Sequence, residues 1–171
     1  MTGYIQLYTG DGKGKTTAAL GLALRAAGHG FRTYIGQFMK GQPYGELDAL
    51  TALPQITLEQ YGDIHCVRKE EVTDHHRRQA RQGLAKVREA MRSGQYTLVI
   101  LDEVLVTLWF GLLTLEEVIH VIDDKPRDVE LVLTGRKAPP ELIERADLVT
   151  EMTNIKHYYD SGVPARDGIE R

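Results

Sequence analysis

The chain has 171 residues, 42% of them hydrophobic and 26% charged, a balance that fits an ordinary globular domain and excludes a disordered or collagen-like chain. Its 21 Lys and Arg against 24 Asp and Glu leave a net charge of −3, without the basic excess of most nucleic-acid binders. A single cysteine, Cys66, excludes an internal disulfide and fits a reducing, cytoplasmic setting. No apolar run nears the roughly 18 residues of a membrane span, and the N-terminus lacks the basic and apolar regions of a signal peptide. Residues 4–8 (YIQLY) are β-prone. Gly10, Gly12 and Gly14 follow, and then an Ala- and Leu-rich helix over 16–27 that Gly28 and Gly30 stop. Residues 33–38 (TYIGQF) return as a strand, completing a βαβ unit. Residues 39–45, with Gly41, Pro43 and Gly45, read as a loop; 56–60 read as a strand, and 63–72 show no period. A long helix over 73–93 carries Ala80, Leu84, Val87 and Met91 on one face. Residues 97–101 (TLVIL) form an apolar run of the kind buried in parallel sheets. Thr114 and Glu117 have capping-box spacing at the head of a helix to about Asp123. A strand over 129–134, a short helix opened by Pro140 and a last strand over 148–152 complete the alternation.

This alternation predicts an α/β fold with a mostly parallel sheet and helices on both faces. Residues 4–8 are expected to be a central strand close to 97–101. The whole chain, 1–171, reads as one domain, with 153–171 as a C-terminal tail without regular structure.

The strongest motif is Gly10-Asp11-Gly12-Lys13-Gly14-Lys15-Thr16-Thr17. It matches the last three positions of the phosphate-binding P-loop pattern, Gly14, Lys15 and Thr16, while Thr9 stands where that pattern has its first glycine. Glycines let backbone N–H groups turn around phosphate oxygens, and the following helix aims its positive end at the same anion. Lys15 adds a point charge, and the Thr16 hydroxyl can bind Mg²⁺. A tight turn with no ligand would not need two lysines as well. A P-loop also calls for a carboxylate at the end of a neighbouring apolar strand, and Asp102-Glu103 follow residues 98–101. Either could hold Mg²⁺ with Thr16 against a triphosphate.

An ordered series of motifs then carries a resemblance: the loop 10–17, Arg25-Ala-Ala-Gly-His-Gly30, Gln37-Phe-Met-Lys-Gly41, Leu101-Asp-Glu103, Leu133-Thr-Gly-Arg136, and Ala146 to Met152 leading to Lys156-His157. Together they resemble the P-loop type of cob(I)alamin, or corrinoid, adenosyltransferase, over residues 4–170. The resemblance implies a RecA-like P-loop fold and a homodimer. It implies transfer of the 5′-deoxyadenosyl group of ATP to Co(I) of a corrinoid, with triphosphate as leaving group and the nucleotide reversed in the loop. It implies ATP, Mg²⁺ and a corrinoid as ligands, a flavoprotein reductant, and no nucleic-acid or membrane partner. Carried over position by position, Gly10, Asp11, Gly12, Lys13, Gly14, Lys15, Thr16 and Thr17 bind polyphosphate. Arg136 is a further phosphate contact, and Thr16 and Glu103 hold Mg²⁺. Lys15, Thr16 and Glu103 are then the catalytic residues. The chemistry is compatible, since Co(I) is itself the nucleophile and the protein has to align it and stabilise the departing charge.

One region departs from the family. Many relatives carry aromatics after the strand at 56–60 that pack under the corrin ring, whereas no Phe or Trp occurs here between Phe38 and Trp109. Ile64 and Val67 are the apolar replacements expected, with Tyr61 and Trp109-Phe110 as alternatives, and His65 is not expected to ligate cobalt. His65-Cys66 are too few for a tetrahedral metal site. The basic helix 73–93 reads as a solvated face, and Trp109-Phe110 as core or dimer interface. Two other functions remain open: an ordinary P-loop ATPase or kinase, and a non-catalytic, nucleotide-gated corrinoid carrier.

Overall fold

The computed structural model describes residues 2–65 and 67–170, so Cys66 lies outside the described residues. Six strands make one sheet: β1 (Ile5–Thr9), β2 (Thr33–Phe38), β3 (Ile56–Tyr61), β4 (Leu98–Asp102), β5 (Glu130–Thr134) and β6 (Leu148–Glu151). Their order is β3-β2-β4-β5-β1-β6 and every pairing is parallel. This is the α/β arrangement that the alternation of elements predicts, and it is consistent with the RecA-like P-loop fold that the resemblance implies. Because the strands run one way, all their C-terminal ends open onto one edge, where open α/β sheets bind ligands.

Alternate residues of the central strands face opposite layers. Leu98, Ile100 and Val132 pack with Ala19 and Ala23 of α1 (Lys15–Gly28) and Leu50 of α2 (Gly45–Thr51). Val99, Leu101, Leu131 and Leu133 face the other way. They meet Ala80, Leu84, Val87 and Met91 of α3 (Asp74–Arg92), with Leu105 of α4 (Val104–Trp109) and Val118 of α5 (Leu115–Asp123). The stripe spaced for one helical face is therefore the face that is buried. Each such side chain contributes roughly 1.5–3 kcal/mol on burial. The last helix, α6 (Pro140–Arg145), packs beside β1.

Thr114 caps α5 as its spacing predicts: the Glu117 amide donates to Thr114 Oγ1 at 3.2 Å, and the Thr114 amide donates to Glu117 Oε2 at 2.7 Å. Helices α2 and α4 fall where the sequence reads as loop or unassigned chain. The strand at 4–8 is interior rather than central: β1 lies between β5 and the edge strand β6. It is separated from β4 by β5. Strand β5 therefore stands between the strand that leads into the phosphate loop and the strand that ends in the carboxylates. The tail is mostly irregular but holds a 3-10 turn, Tyr158–Ser161.

Candidate active site

The phosphate loop leaves β1 and is braced from behind. The Gly12 amide donates to Met152 O at 2.6 Å, and Met152 N donates to Thr9 O at 2.8 Å. A Cβ on Gly10 would lie 2.4 Å from Met152 O, and one on Gly12 2.7 Å from Met152 O and Thr153 O, so neither position accepts a side chain. Thr9, in place of the pattern's first glycine, ends β1 and accepts from the Ala138 amide at 3.3 Å. Its hydroxyl ties the loop of Arg136 to the phosphate loop. Lys15 is buried and curls back over the loop, donating to Gly10 O at 2.8 Å and Gly12 O at 2.7 Å. Burial lowers its pKa, and the nearby Glu103 charge offsets part of that. The first turn of α1, with Lys15, Thr16 and Thr17, lines the same space, and a helix N-terminus favours an anion.

Asp102 ends β4, fully buried, and gathers four donors. Its Oδ1 accepts from Thr16 Oγ1 and Thr134 Oγ1, each at 2.8 Å. Its Oδ2 accepts from Lys40 Nζ at 2.9 Å and Gln37 Nε2 at 3.2 Å. Burial alone would lower the Lys40 pKa, but the charge and hydrogen bond of Asp102 outweigh it and hold the ammonium above its ordinary value. Thr134 is the bridge supplied by β5: it also accepts from the Glu103 amide at 2.9 Å. Glu103 itself sits at φ 61, at the head of α4. Burial, and then the Asp102 charge, raise its pKa, while Lys40, Lys15 and Arg136 pull it down. A site that disfavours the charge of a carboxylate is one that a cation would relieve.

A cavity of about 900 Å³ opens here. Asp11, Gly12, Lys13, Gly14, Lys15, Thr16 and Thr17 form its floor, Leu20, Gly21 and Leu24 of α1 one wall, and Lys40, Glu46, Glu103 and Arg136 project toward it. Gly10 stays behind the loop as its brace. Arg136 stands 3.8 Å from Asp11 across the mouth. The tail closes one side: Lys13 Nζ donates to Ile169 O at 2.9 Å and lies 3.9 Å from Glu170. A second cavity, about 650 Å³, adjoins the first and shares Tyr44, Gly45 and Gly168 with it. Gln42, Asp48, Ile64 and His65 line the rest with Asp167. Val67 and Trp109 border neither. Trp109 ends α4 under Lys137, whose Nζ lies 3.9 Å from the ring centroid. The basic face of α3 is paired: Arg77 with Asp74, Arg81 with Glu117, Lys86 with Glu89 and Arg88 with Asp124.

The structure therefore brings the phosphate-loop residues, Glu103 and Arg136 to one cavity. The sequence reading did not place Gln37, Lys40 or Thr134 there. Gln37 and Thr134 do carry a signal, as polar residues at the C-terminal ends of otherwise apolar strands. Among the described residues no cluster of three or more His, Cys, Asp and Glu side chains could hold a metal unaided. No helix among them is long and apolar enough to cross a membrane.

Comparison with known proteins covers the whole chain. The family model described as ATP:corrinoid adenosyltransferase BtuR/CobO/CobP covers residues 1–171. The chain is 34% identical over 180 residues to a corrinoid adenosyltransferase of Escherichia coli K12, covering 98% of this chain and 85% of the relative. It is 35% identical over 172 residues to a corrinoid adenosyltransferase of Pseudomonas aeruginosa, covering 98% and 83%. An uncharacterized protein of Nostoc sp. is 37% identical over 171 residues, covering 92% of this chain but only 45% of that longer relative. A phosphate loop braced on β6, a carboxylate pair at the end of β4 and a match along the full sequence place this chain in the ATP:corrinoid adenosyltransferase family.

Proposed function

We propose that this chain transfers the 5′-deoxyadenosyl group of ATP to Co(I) of a corrinoid. The observation that carries the reading is the junction of two cavities, one a polyphosphate cradle and the other walled by loops, at Tyr44, Gly45 and Gly168. ATP lies with its triphosphate on the loop and its 5′ carbon toward the junction. The Co(I) electron pair attacks C5′, and the C5′–O bond breaks with its electrons on the departing triphosphate. Cobalt is formally oxidised to Co(III). No protein nucleophile is required. The protein aligns cobalt with C5′ and stabilises the leaving group through loop amides, Lys13, Lys15 and Arg136. Lys13 exchanges its tail partners for phosphate oxygen.

Thr16 and Glu103 offer hard oxygen donors that suit Mg²⁺, and the raised pKa of Glu103 fits a place for a cation. Thr16 donates its proton to Asp102, which leaves its oxygen lone pairs for a metal. Mg²⁺ bound there supplies charge neutralisation on the triphosphate. Asp102 positions Thr16 and Lys40. In the second cavity Ile64, 67% exposed, is the apolar contact for the lower corrin face.

A flavoprotein reductant supplies Co(I), the setting is cytoplasmic, and the active species is a homodimer. The dimer is supported by β6, an edge strand exposed throughout, with Leu148 and Val149 uncovered. The domain is 1–171, with 153–171 as a tail that reaches back to the phosphate loop.

Anaerobic incubation with chemically reduced cobalamin, Mg²⁺ and ATP tests the reading. The expected result is a Co–C absorption spectrum with one intact triphosphate per turnover. ADP instead of triphosphate would assign an ordinary ATPase, with orthophosphate released, or a kinase, with a phosphorylated acceptor. Tight corrinoid and ATP binding with no product would assign a carrier.

A further inference from the structure

Among its described residues, the loop that walls the second cavity has no strand or helix between β3 and the 3-10 turn Lys69–Glu71. It is nonetheless fastened at Asp63. The Asp63 Oδ2 lies 2.7 Å from His76 Nε2, and Oδ1 lies 3.7 Å from His75 Nε2. Both imidazoles belong to the first turn of α3. The tautomer of His76 follows from its other nitrogen. Nδ1 accepts from the Thr73 amide at 3.0 Å as part of the helix cap, so Nε2 carries the proton and donates to Asp63. His76 is the better buried of the two, at 14% exposure against 60% for His75. That hydrogen bond holds the Asp63 carboxyl below its ordinary pKa, with a further one from Gln79.

The latch has a backstop. A Cβ on Gly62 would lie 2.6 Å from Lys40 N, and one on Gly41 2.4 Å from Gly62 O. The start of the loop is thus pressed between the β2 exit on one side and α3 on the other. Lys40 does not depend on the latch for its own place, since Asp102 and Glu46 hold its ammonium. The residues left to be positioned by the latch are the next two, Ile64 and His65, which border the second cavity.

We infer that His76 and Asp63 are positioning residues for the corrinoid: their hydrogen bond holds the Ile64–His65 segment against the face of the ligand. In this chain a polar tether to α3 does what bulky aromatics would do by packing. The inference rests on the adenosyltransferase reading, because it assigns a corrinoid to the second cavity.

The test uses three variants of the full chain and two readouts. Asp63→Ala removes the acceptor. His76→Asn keeps an acceptor for the Thr73 amide, because its Oδ1 stands where Nδ1 stood, but loses the donor to Asp63. Asp63→Asn keeps an oxygen acceptor for His76. Cobalamin reduced to Co(II) is titrated by absorbance in the presence of MgATP. Amide exchange is followed in the loop and in α3. Asp63→Ala and His76→Asn are expected to weaken cobalamin binding about fivefold or more, while ATP affinity stays within about twofold. Exchange in the loop should rise about tenfold while the α3 interior is unchanged. Asp63→Asn should bind within about twofold of the parent. Equal cobalamin affinity in the parent and Asp63→Ala, with loop exchange accelerated, would overturn the inference and leave the adenosyltransferase reading standing. A parent chain that binds no cobalamin would overturn both.

Discussion

The two adjoining cavities are built from different materials. The polyphosphate cavity rests on the ends of β1 and β4, the start of α1 and a fully buried carboxylate with four donors. The second is walled by connecting segments, at 42–45, at 64–65 and at 167–168. The contrast fits the two ligands proposed for them. A triphosphate leaving group needs fixed charges and dipoles that do not reorganise when charge moves. A broad, mostly apolar ring face needs surface that conforms to it, and loops give that at less expense to the sheet. Damage to the Asp102 network under the first cavity should therefore strike fold and chemistry together, and damage to the second should strike binding with little cost to the fold.

The sharpest way to break that contrast is Asp102→Ala. It leaves the mostly buried Lys40 ammonium with only the more distant Glu46 carboxylate at 3.9 Å, and loss of one member of a buried pair costs about 3–5 kcal/mol. Urea unfolding should show that loss, and a change under about 1 kcal/mol would mean the network holds little of the fold. Lys15→Ala comes next. Hydrogen bonds to charged groups are worth about 1.5–3 kcal/mol each, so ATP should bind at least about 100-fold more weakly. Calorimetric titration measures this, and near-parental affinity would exclude a phosphate role. Glu103→Ala should slow turnover about 10- to 100-fold with no loss of melting temperature, and added Mg²⁺ should partly restore it. If Asp102→Asn is crippled while Glu103→Ala turns over normally, Asp102 is the metal carboxylate. The smallest effect lies at the loop. The Asp63 pKa is depressed in the folded chain by its His76 hydrogen bond. Its contribution to stability is then complete above the ordinary value of 3.8 and is lost as pH falls from there through the lower folded value. Urea midpoints across that window should fall in the parent and be flatter in Asp63→Asn.

The sheet and its long helices were legible because their hydrophobic periods are long enough to count. The stripe on α3 and the apolar run of β4 appear in the core as read. Short elements were not. Helix α2 has seven residues and follows Pro43, and α4 has six, VLVTLW, in which Thr107 is the one polar residue and no polar face reveals a period. The phosphate loop was legible because its chemistry is local in sequence. The Asp102 cluster was only half so. Gln37 and Lys40 reach Asp102 from the end of β2 and Thr134 from the end of β5, and strand order is a property of the assembled sheet. The position of β1 shows the same limit. Nothing in YIQLY tells that β5, and not β4, pairs with it. The latch at Asp63 was hidden for a further reason: residues 63–72 have no period, and a His–Asp contact thirteen residues apart leaves no pattern.

The brace behind the phosphate loop changes how its glycines should be weighed. Gly10 and Gly12 are held bare by the backbone of Met152 and Thr153, groups that belong to the exit of β6 and touch no phosphate. A descendant of this chain that abandoned nucleotides altogether would still be confined to glycine at both places, as long as it kept its edge strand. Only the lysines would be released to drift. The signature thus mixes letters that spell a shape with letters that spell a charge, and a degenerate copy would forget the charge first.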